Sequence, residues 1–146
     1  MTTTTPEVRA ARSEDELAGA LSLRRAVFVE EQGVPLEEEL DDRDAEALHL
    51  VALDGGAVVG TCRLLEAGDA LKLGRMAVAA TARRRGIAAR LLEVAEAHAR
   101  ARGVRVIRLS SQISARAVYE RGGYTAHGER FVEAGIDHVM MEKTLA

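Results

Sequence analysis

The stretch "ARRRGIAARLL", Ala82 to Leu92, joins a basic loop to the start of an amphipathic helix. Apolar residues spaced three and four apart predict that this helix runs from residue 86 to residue 102 and ends at Gly103. Apolar strands are predicted on both sides of it, at residues 71–78 and 104–111. Strand, helix and strand in this order predict a βαβ unit with a right-handed crossover and parallel strands.

The remaining segments extend this unit into a mixed α/β fold. Ser13 and Glu16 have the spacing of a capping box, which predicts a helix from there to about residue 31. The acidic segment 32–45 predicts a loop with room for one helical turn. The other predicted elements are a strand at 7–11, a hairpin turning at Asp54-Gly55-Gly56, a helix at 114–122 and a hairpin of residues 124–130 and 138–145. We expect a single domain over residues 1–146, with a flexible segment at 1–6.

Composition excludes several function classes. The chain has 146 residues and a formal net charge of −3, which argues against general affinity for nucleic acid. Cys62 is the only cysteine, so neither an intramolecular disulfide nor a multi-cysteine metal site is expected, and the histidines show no HExxH pattern. No apolar run reaches membrane-spanning length. We therefore expect a cytoplasmic protein with no metal, no nucleic-acid partner and no membrane partner.

The three arginines before Gly86 leave two interpretations open. The first backbone N–H groups of a helix have no intrahelical partners and carry partial positive charge, so this turn suits phosphate oxygens. Gly86 lets a ligand approach the backbone, and the small Ala88 leaves room beside the helix. Taken alone, the pattern also fits an ordinary basic helix start.

A family resemblance favours the phosphate interpretation. The segment Arg83-Arg84-Arg85-Gly86-Ile87-Ala88 resembles the acetyl-CoA pyrophosphate loop of the GCN5-related N-acetyltransferases (GNAT). The segments "AVFVEEQGVPLEEELDD", "GTCRLL", "SSQISARAVYERGGY" and "FVEAGIDHVMMEK" resemble the small bacterial subgroup typified by ElaA and YjcF. The resemblance implies the acyl-CoA N-acyltransferase fold, a mixed central sheet flanked by helices, with acetyl-CoA as the acyl-donor cosubstrate.

The resemblance also implies where the donor binds. Backbone groups near Met76, Ala77 and Val78 would pair with the pantetheine arm like an added strand. Arg83 would fix the loop or contact phosphate, and Gln112 would contact pantetheine or cap the following helix. The two central parallel strands would separate to admit the donor, and Gly74 would form the bulge that separates them. The backbone N–H groups expected to hold pyrophosphate belong to Arg84, Arg85, Gly86, Ile87, Ala88 and Ala89.

Acetyl transfer from a thioester to an amine needs an acid for the departing thiolate and a base for the amine. Tyr119 matches the family's tyrosine near the sulfur, although a helix tyrosine also serves as a packing residue. His138 and Glu129 are our candidates for the base, because histidine exchanges protons near neutral pH and a carboxylate acts through water. Alternatives for this role are His49, Glu133 and Glu31. The acceptor-side candidates are Arg24, Glu31, His49 and Arg63.

These residues predict an N-acetyltransferase that acts directly on a primary amine of a small molecule or peptide. Two alternatives stay open: a non-catalytic acyl-CoA-binding sensor, suggested by the lack of an acid at Gly74, and an enzyme like the acyl-homoserine lactone synthases. The acidic loop at residues 37–44 would favour a cationic acceptor if it faces the groove, but it is equally interpretable as a solvated surface. The sequence leaves a homodimer open.

Overall fold

A seven-stranded sheet forms the centre of the protein in a computed structural model that describes residues 5–146. The strands are Glu7–Ala10 (β1), Leu48–Asp54 (β2), Ala57–Ala67 (β3), Ala70–Val78 (β4), Val106–Gln112 (β5), Thr125–Glu133 (β6) and Ile136–Thr144 (β7). Their order across the sheet is β1-β2-β3-β4-β5-β7-β6. Neighbouring strands are antiparallel except for β4 and β5, which are parallel as predicted. The predicted flexible segment at 1–6 lies outside the described residues except for residues 5 and 6.

Helices cover both faces of the sheet. They are Glu14–Arg24 (α1), which continues as a π-helix over Arg25–Glu31, then Leu36–Glu39 (α2), Ile87–Ala101 (α3) and Arg116–Arg121 (α4). Short 3₁₀ turns lie at Asp44–Glu46, Ala80–Ala82 and Ile113–Ala115. The main apolar core joins α3 and α4 to the sheet, and a smaller cluster packs Leu23 and Val27 against Ala77. Among residues 5–146, no helix is long and apolar enough to cross a membrane.

The prediction for the first helix is confirmed with one refinement. Ser13 caps α1 by accepting a hydrogen bond from Glu16 N at 3.1 Å. The Glu16 carboxylate reaches back to Arg12 N, at 2.7 Å, one residue before the position that a capping box uses. The helix does reach Glu31, but its last seven residues are wound as a π-helix, a form that recurs at functional sites.

The prediction for α3 is also confirmed, apart from one side chain. Gly86 caps the helix with φ +76°, and the expected apolar face is buried. Glu96, expected in an exposed pair with Arg100, is instead buried beneath the C-terminal hairpin. Its carboxylate accepts hydrogen bonds from Lys143 Nζ at 2.8 Å and Tyr124 Oη at 3.2 Å. Both donors are distant in sequence, so helical spacing carried no signal for this contact.

The parallel strands β4 and β5 separate part-way along their length. They pair at only three positions, from Leu71 with Ile107 to Leu73 with Leu109. Beyond this point β4 shifts register against β3, and Arg75 adopts a left-handed φ of +53°. The irregular pairing begins directly after Gly74, the position at which the sequence predicts the bulge, and the left-handed residue is Arg75. The gap that results lies beside the start of α3.

The start of α3 rests directly on β3 at a glycine. A Cβ atom at Gly60 would lie 2.6 Å from Ile87 Cγ2 and 3.3 Å from Ala52 Cβ. A contact of 2.6 Å is too short for a real Cβ atom. With any larger residue at Gly60, α3 and β3 could keep their spacing only if the Ile87 side chain moved. This close contact sets the position of the loop that precedes α3.

We expect Gly60→Ala to destabilise the protein by about 1 to 3 kcal/mol, because it overpacks this contact. Ile87→Ala removes the clashing methyl group and should cost about 2 to 5 kcal/mol by itself through the cavity that it leaves. Urea unfolding of both variants and of the double variant measures the coupling. The double variant should lose less stability than the sum of the two, and simple additivity would show that Gly60 and Ile87 do not interact in this way.

Candidate functional site

A cleft of about 610 Å³ opens where β4 and β5 separate. One wall comes from β4 and the other from β5 and β7, while α3 and α4 contribute residues from one side of the sheet. Six of the predicted site residues contribute to its lining. They are Arg63, Met76, Ala88, Gln112, Tyr119 and His138.

Arg83 holds the basic loop in place. Its Nε donates to Val78 O at 3.1 Å, and its two terminal nitrogens donate to the Glu31 carboxylate at 2.7 and 3.0 Å. These hydrogen bonds lower the pKa of Glu31 below its usual value. Of the two expected roles for Arg83, the loop-fixing role is therefore the one observed. The structure does not place Glu31, an expected acceptor-site residue, in the cleft lining, because its exposed carboxylate pairs with Arg83.

The loop between Arg83 and α3 presents backbone donors. Arg84 and Gly86 both have left-handed backbones, with φ of +64° and +76°. Within residues 5–146 no side chain caps α3, so the N–H groups of its first turn keep their hydrogen-bonding capacity. A Cβ atom at Gly86 would meet nothing within 4 Å, which leaves the turn open on that side. Arg85 forms an ion pair with Asp54 at 3.1 Å and does not line the cleft.

Tyr119 of α4 lines the cleft and is only 7% exposed. Its ring packs edge-on against Tyr124 with 6.2 Å between centroids, so packing and cleft lining coexist in one side chain. Burial raises the pKa of the Tyr119 hydroxyl above its usual value, with a smaller contribution from Cys62. The phenol therefore keeps its proton through the neutral range.

His138 of β7 lines the opposite wall and is also 7% exposed. Its Nδ1 lies 2.7 Å from Ile136 O, a group that can only accept, which assigns the ring proton of the neutral form to Nδ1. Nε2 then carries a lone pair and lies 3.6 Å from the Glu133 carboxylate. The ring stacks on Phe131, with 5.8 Å between centroids. A histidine held in this way is suited to accept a proton at Nε2.

Glu133, rather than Glu129, reaches this part of the cleft. Glu129 is exposed in a stretch of β6 that loses its register with β7 around Gly128, and it lies outside the cleft lining. Glu133 lines the cleft and accepts a hydrogen bond from Ser110 Oγ at 3.3 Å. The structure therefore brings Glu133, and not the expected Glu129, to the cleft, because the irregular segment breaks the strand alternation on which spacing depends.

Arg24 is a structural residue. It is 1% exposed, and its Nε donates to Glu39 Oε1 at 2.6 Å while Nη1 donates to Asp44 Oδ1 at 2.8 Å. Both carboxylates belong to the acidic segment after the π-helix. Arg24 does not line the cleft, and its buried guanidinium is engaged by these carboxylates, so the structure does not bring it to the expected acceptor site.

Arg63 extends the same set of ion pairs into the cleft. Its guanidinium donates to both Asp41 oxygens at 2.7 Å and to Asp44 Oδ1 at 2.9 Å. Hydrogen bonds from Arg63 hold the pKa of Asp41 well below its usual range. Arg75 adds a contact to Asp41 Oδ2 at 3.3 Å. We call the following six residues the arginine–carboxylate network: Arg24, Arg63, Arg75, Glu39, Asp41 and Asp44.

His49 lies beneath this network and outside the cleft lining. Its Nε2 lies 2.9 Å from Asp44 O, and its Nδ1 is buried without a hydrogen-bond partner among residues 5–146. The structure therefore does not bring His49 to the cleft, where the acceptor site and the base are expected. A strand histidine that faces a loop carbonyl looks the same in sequence as one that faces a cleft.

The cleft also contains residues that the sequence analysis left without a role. Lys72 and Arg75 of β4 line it, as do Ser110 of β5 and Phe28 of the π-helix. Strand alternation places Lys72 and Gly74 on one face of β4 and could have identified Lys72. The role of Arg75 depends on its left-handed backbone, for which the sequence offers no signal.

Comparisons with known proteins agree with this geometry. A family model described as the acetyltransferase (GNAT) domain matches residues 26–145. The uncharacterised N-acetyltransferase YjcF of Bacillus subtilis is 35% identical over 134 residues, which cover 91% of this chain and 96% of YjcF. The chain therefore belongs to the GNAT acetyltransferase family, and the predicted family is confirmed.

Solved structures confirm the predicted fold. The structure of an acyl-CoA N-acyltransferase from Pseudomonas aeruginosa superposes on this protein with a TM-score of 0.85 and 29% sequence identity. The match covers 96% of this chain and 100% of that chain. ElaA of Escherichia coli has a TM-score of 0.82 at 24% identity, with 94% of this chain and 99% of ElaA covered. The latter likeness bears on the fold alone.

We expect Arg24→Met to destabilise the protein by about 3 to 5 kcal/mol, because it removes the buried cation that contacts Glu39 at 2.6 Å and leaves only the longer pair with Arg75 at 3.6 Å. Arg24→Met combined with Glu39→Gln should recover part of that loss. Arg43→Met is the matched control, since its exposed pair with Glu46 should contribute less than about 1 kcal/mol. Chemical denaturation measures all three. Equal effects of Arg24→Met and Arg43→Met would contradict the structural role of Arg24.

Proposed function

We propose that this protein is an acetyl-CoA-dependent N-acetyltransferase that moves the acetyl group directly to a primary amine of a small molecule or peptide. The observation that carries the proposal is that Tyr119 and His138 line the same cleft, which opens where two parallel strands separate. One side chain is suited to give a proton and the other to accept one. Direct transfer needs both within one site.

The donor half of the cleft fits the chemistry of acetyl-CoA. Beyond Leu73, β4 no longer pairs with β5, so backbone groups of Met76, Ala77 and Val78 are open on that side for an extended ligand arm, apart from the Val78 carbonyl that accepts from Arg83. The uncapped first turn of α3 offers N–H donors for pyrophosphate, from Arg84 through Ala89. Ala88 lines the cleft beside this turn, where a larger side chain would fill the space.

The roles of the two proton-handling residues follow from their surroundings. During transfer the amine nitrogen bonds to the thioester carbonyl carbon, and the carbon–sulfur bond breaks. His138 accepts the proton that the amine loses, at the Nε2 atom left free by the Nδ1 contact with Ile136. Tyr119 donates a proton to the departing thiolate, and its hydroxyl is protonated throughout the neutral range. A backbone N–H near Val78 serves the carbonyl oxygen.

We expect Gly86→Glu to abolish acetyl-CoA binding, because it places a negative charge where the pyrophosphate is to bind. Gly103→Glu is the matched control, since Gly103 has a similar φ of +72°, an open Cβ direction and a position at the other end of α3. Isothermal titration calorimetry compares both variants with the native protein. Equal binding by all three folded proteins would contradict the proposed phosphate site.

We expect Tyr119→Phe to lower kcat by about 10²-fold or more with little change in KM, because it removes a general acid and keeps the ring that packs. Tyr124→Phe is the control, a buried tyrosine that contacts Tyr119 and lies outside the cleft lining. Steady-state assays with an accepted amine measure both. Full turnover by Tyr119→Phe would remove the acid role, whereas acetyl-CoA binding without transfer to any amine would favour a sensor.

A further inference from the structure

The acidic segment at residues 37–44 contributes little free negative charge to the cleft. Its carboxylates at Glu39, Asp41 and Asp44 are matched by the three guanidiniums of the arginine–carboxylate network. Glu38, on the rim, is the one acid of this segment that lines the cleft without belonging to the network. The segment as a whole is therefore not expected to attract a cationic acceptor, because most of the carboxylates that it brings to the cleft are paired with arginines.

The floor of the cleft carries positive charge instead. Lys72 and Gly74 lie two residues apart on one face of β4, and Arg63 of β3 is directly across from Gly74. Lys72 is exposed, and its ammonium has no ion pair or hydrogen bond with the part of the chain that the structure describes. Arg63 is 6% exposed, and its Nε is buried without a partner among the described residues. The terminal nitrogens of Arg63 already donate to Asp41 and Asp44, so Lys72 supplies the donor that remains available for an anion.

Gly74 keeps this floor open. Its φ is not left-handed, so no turn requires glycine at this position. A Cβ atom there would meet nothing within 4 Å, so packing does not require glycine either. A glycine inside a strand accompanies a bulge or a close approach of a ligand, and Gly74 both adjoins the bulge at Arg75 and leaves the space above it empty. The space above Gly74 lies between the two cationic side chains.

The proton-accepting end of the cleft is displaced from this floor along the sheet. Lys72 is in register with Glu142 of β7 through Arg108, whereas His138 lies four residues away on the same strand. Four residues correspond to about 13 Å along a strand, a distance that the flexible Lys72 side chain shortens. Glu133, beside His138, supplies negative charge at that end. The cleft is thus positive at one end and negative at the other.

We propose that the acceptor is an amine that also carries an anionic group, a carboxylate or a phosphate-like oxyanion, several bonds from the nitrogen. This inference rests on the proposed transferase function and names its substrate class. The anionic group contacts Lys72 in the space above Gly74, and the amine lies toward Glu133 and His138. The amine then reaches the base while its charged tail holds its orientation.

Matched amines test this proposal. Steady-state kcat/KM is measured with γ-aminobutyrate, its amide, aminopropylphosphonate and putrescine. The two anionic amines should exceed the amide by about 10-fold or more, as a charge-assisted hydrogen bond provides. The ratio of γ-aminobutyrate to aminopropylphosphonate separates a carboxylate site from a phosphate-like one. Lys72→Met should make the kcat/KM values of the anionic amines and the amide similar. Lys72→Glu should give putrescine the highest kcat/KM of the four amines.

Arg100→Met is the control for charge alone, because Arg100 is an exposed α3 residue outside the cleft lining. It should keep the native preference, and all variants should bind acetyl-CoA as the native protein does. Equal kcat/KM for γ-aminobutyrate and its amide, or a preference unchanged in Lys72→Met, overturns the anionic-acceptor inference and leaves the transferase function intact. Acetyl-CoA binding with no turnover of these four amines also overturns the anionic-acceptor inference, whereas failure of the folded native protein to bind acetyl-CoA overturns both.

Discussion

The separation of β4 from β5 is the constraint on which the rest of the site depends. Two parallel strands that paired along their full length would close the sheet and leave no cleft. Here pairing stops after Leu73 and Leu109, and β4 bends through Arg75 in a left-handed conformation. The Arg75 guanidinium donates to Glu39 O at 3.1 Å, which ties the bend to the acidic segment. Donor and acceptor sites then share one opening.

Arginine side chains determine the positions of the segments that border this opening. Arg83 connects the end of β4 to Glu31, at the end of the π-helix, and so holds the loop before α3. The arginine–carboxylate network holds the acidic segment against the sheet. The sequence made Arg83 and Arg24 candidates for ligand contacts, but in the structure both side chains hold neighbouring segments in position. The residues to which we assign proton transfer, Tyr119 and His138, are both buried in the cleft lining.

Local patterns predicted the elements that depend on local physics. The apolar spacing of α3, its glycine cap, the parallel strands around it and the place of Tyr119 all follow from short segments of sequence. Contacts between distant segments could not be predicted in this way. Arg24 pairs with carboxylates fifteen and twenty residues away, and Glu96 is buried by Tyr124 and Lys143 of the C-terminal segment. The irregularity near Gly128 exchanged the expected Glu129 for Glu133 at the cleft.

Hydrogen–deuterium exchange with and without saturating acetyl-CoA tests the central claim most directly. If the donor binds between the separated strands, amide exchange should slow at residues 76–78 and 84–89 and stay unchanged in β1 and β2, which lie at the far side of the sheet. Slowed exchange confined to these two segments would locate the donor in the opening between β4 and β5. Saturated binding with no protection in either segment would contradict the account.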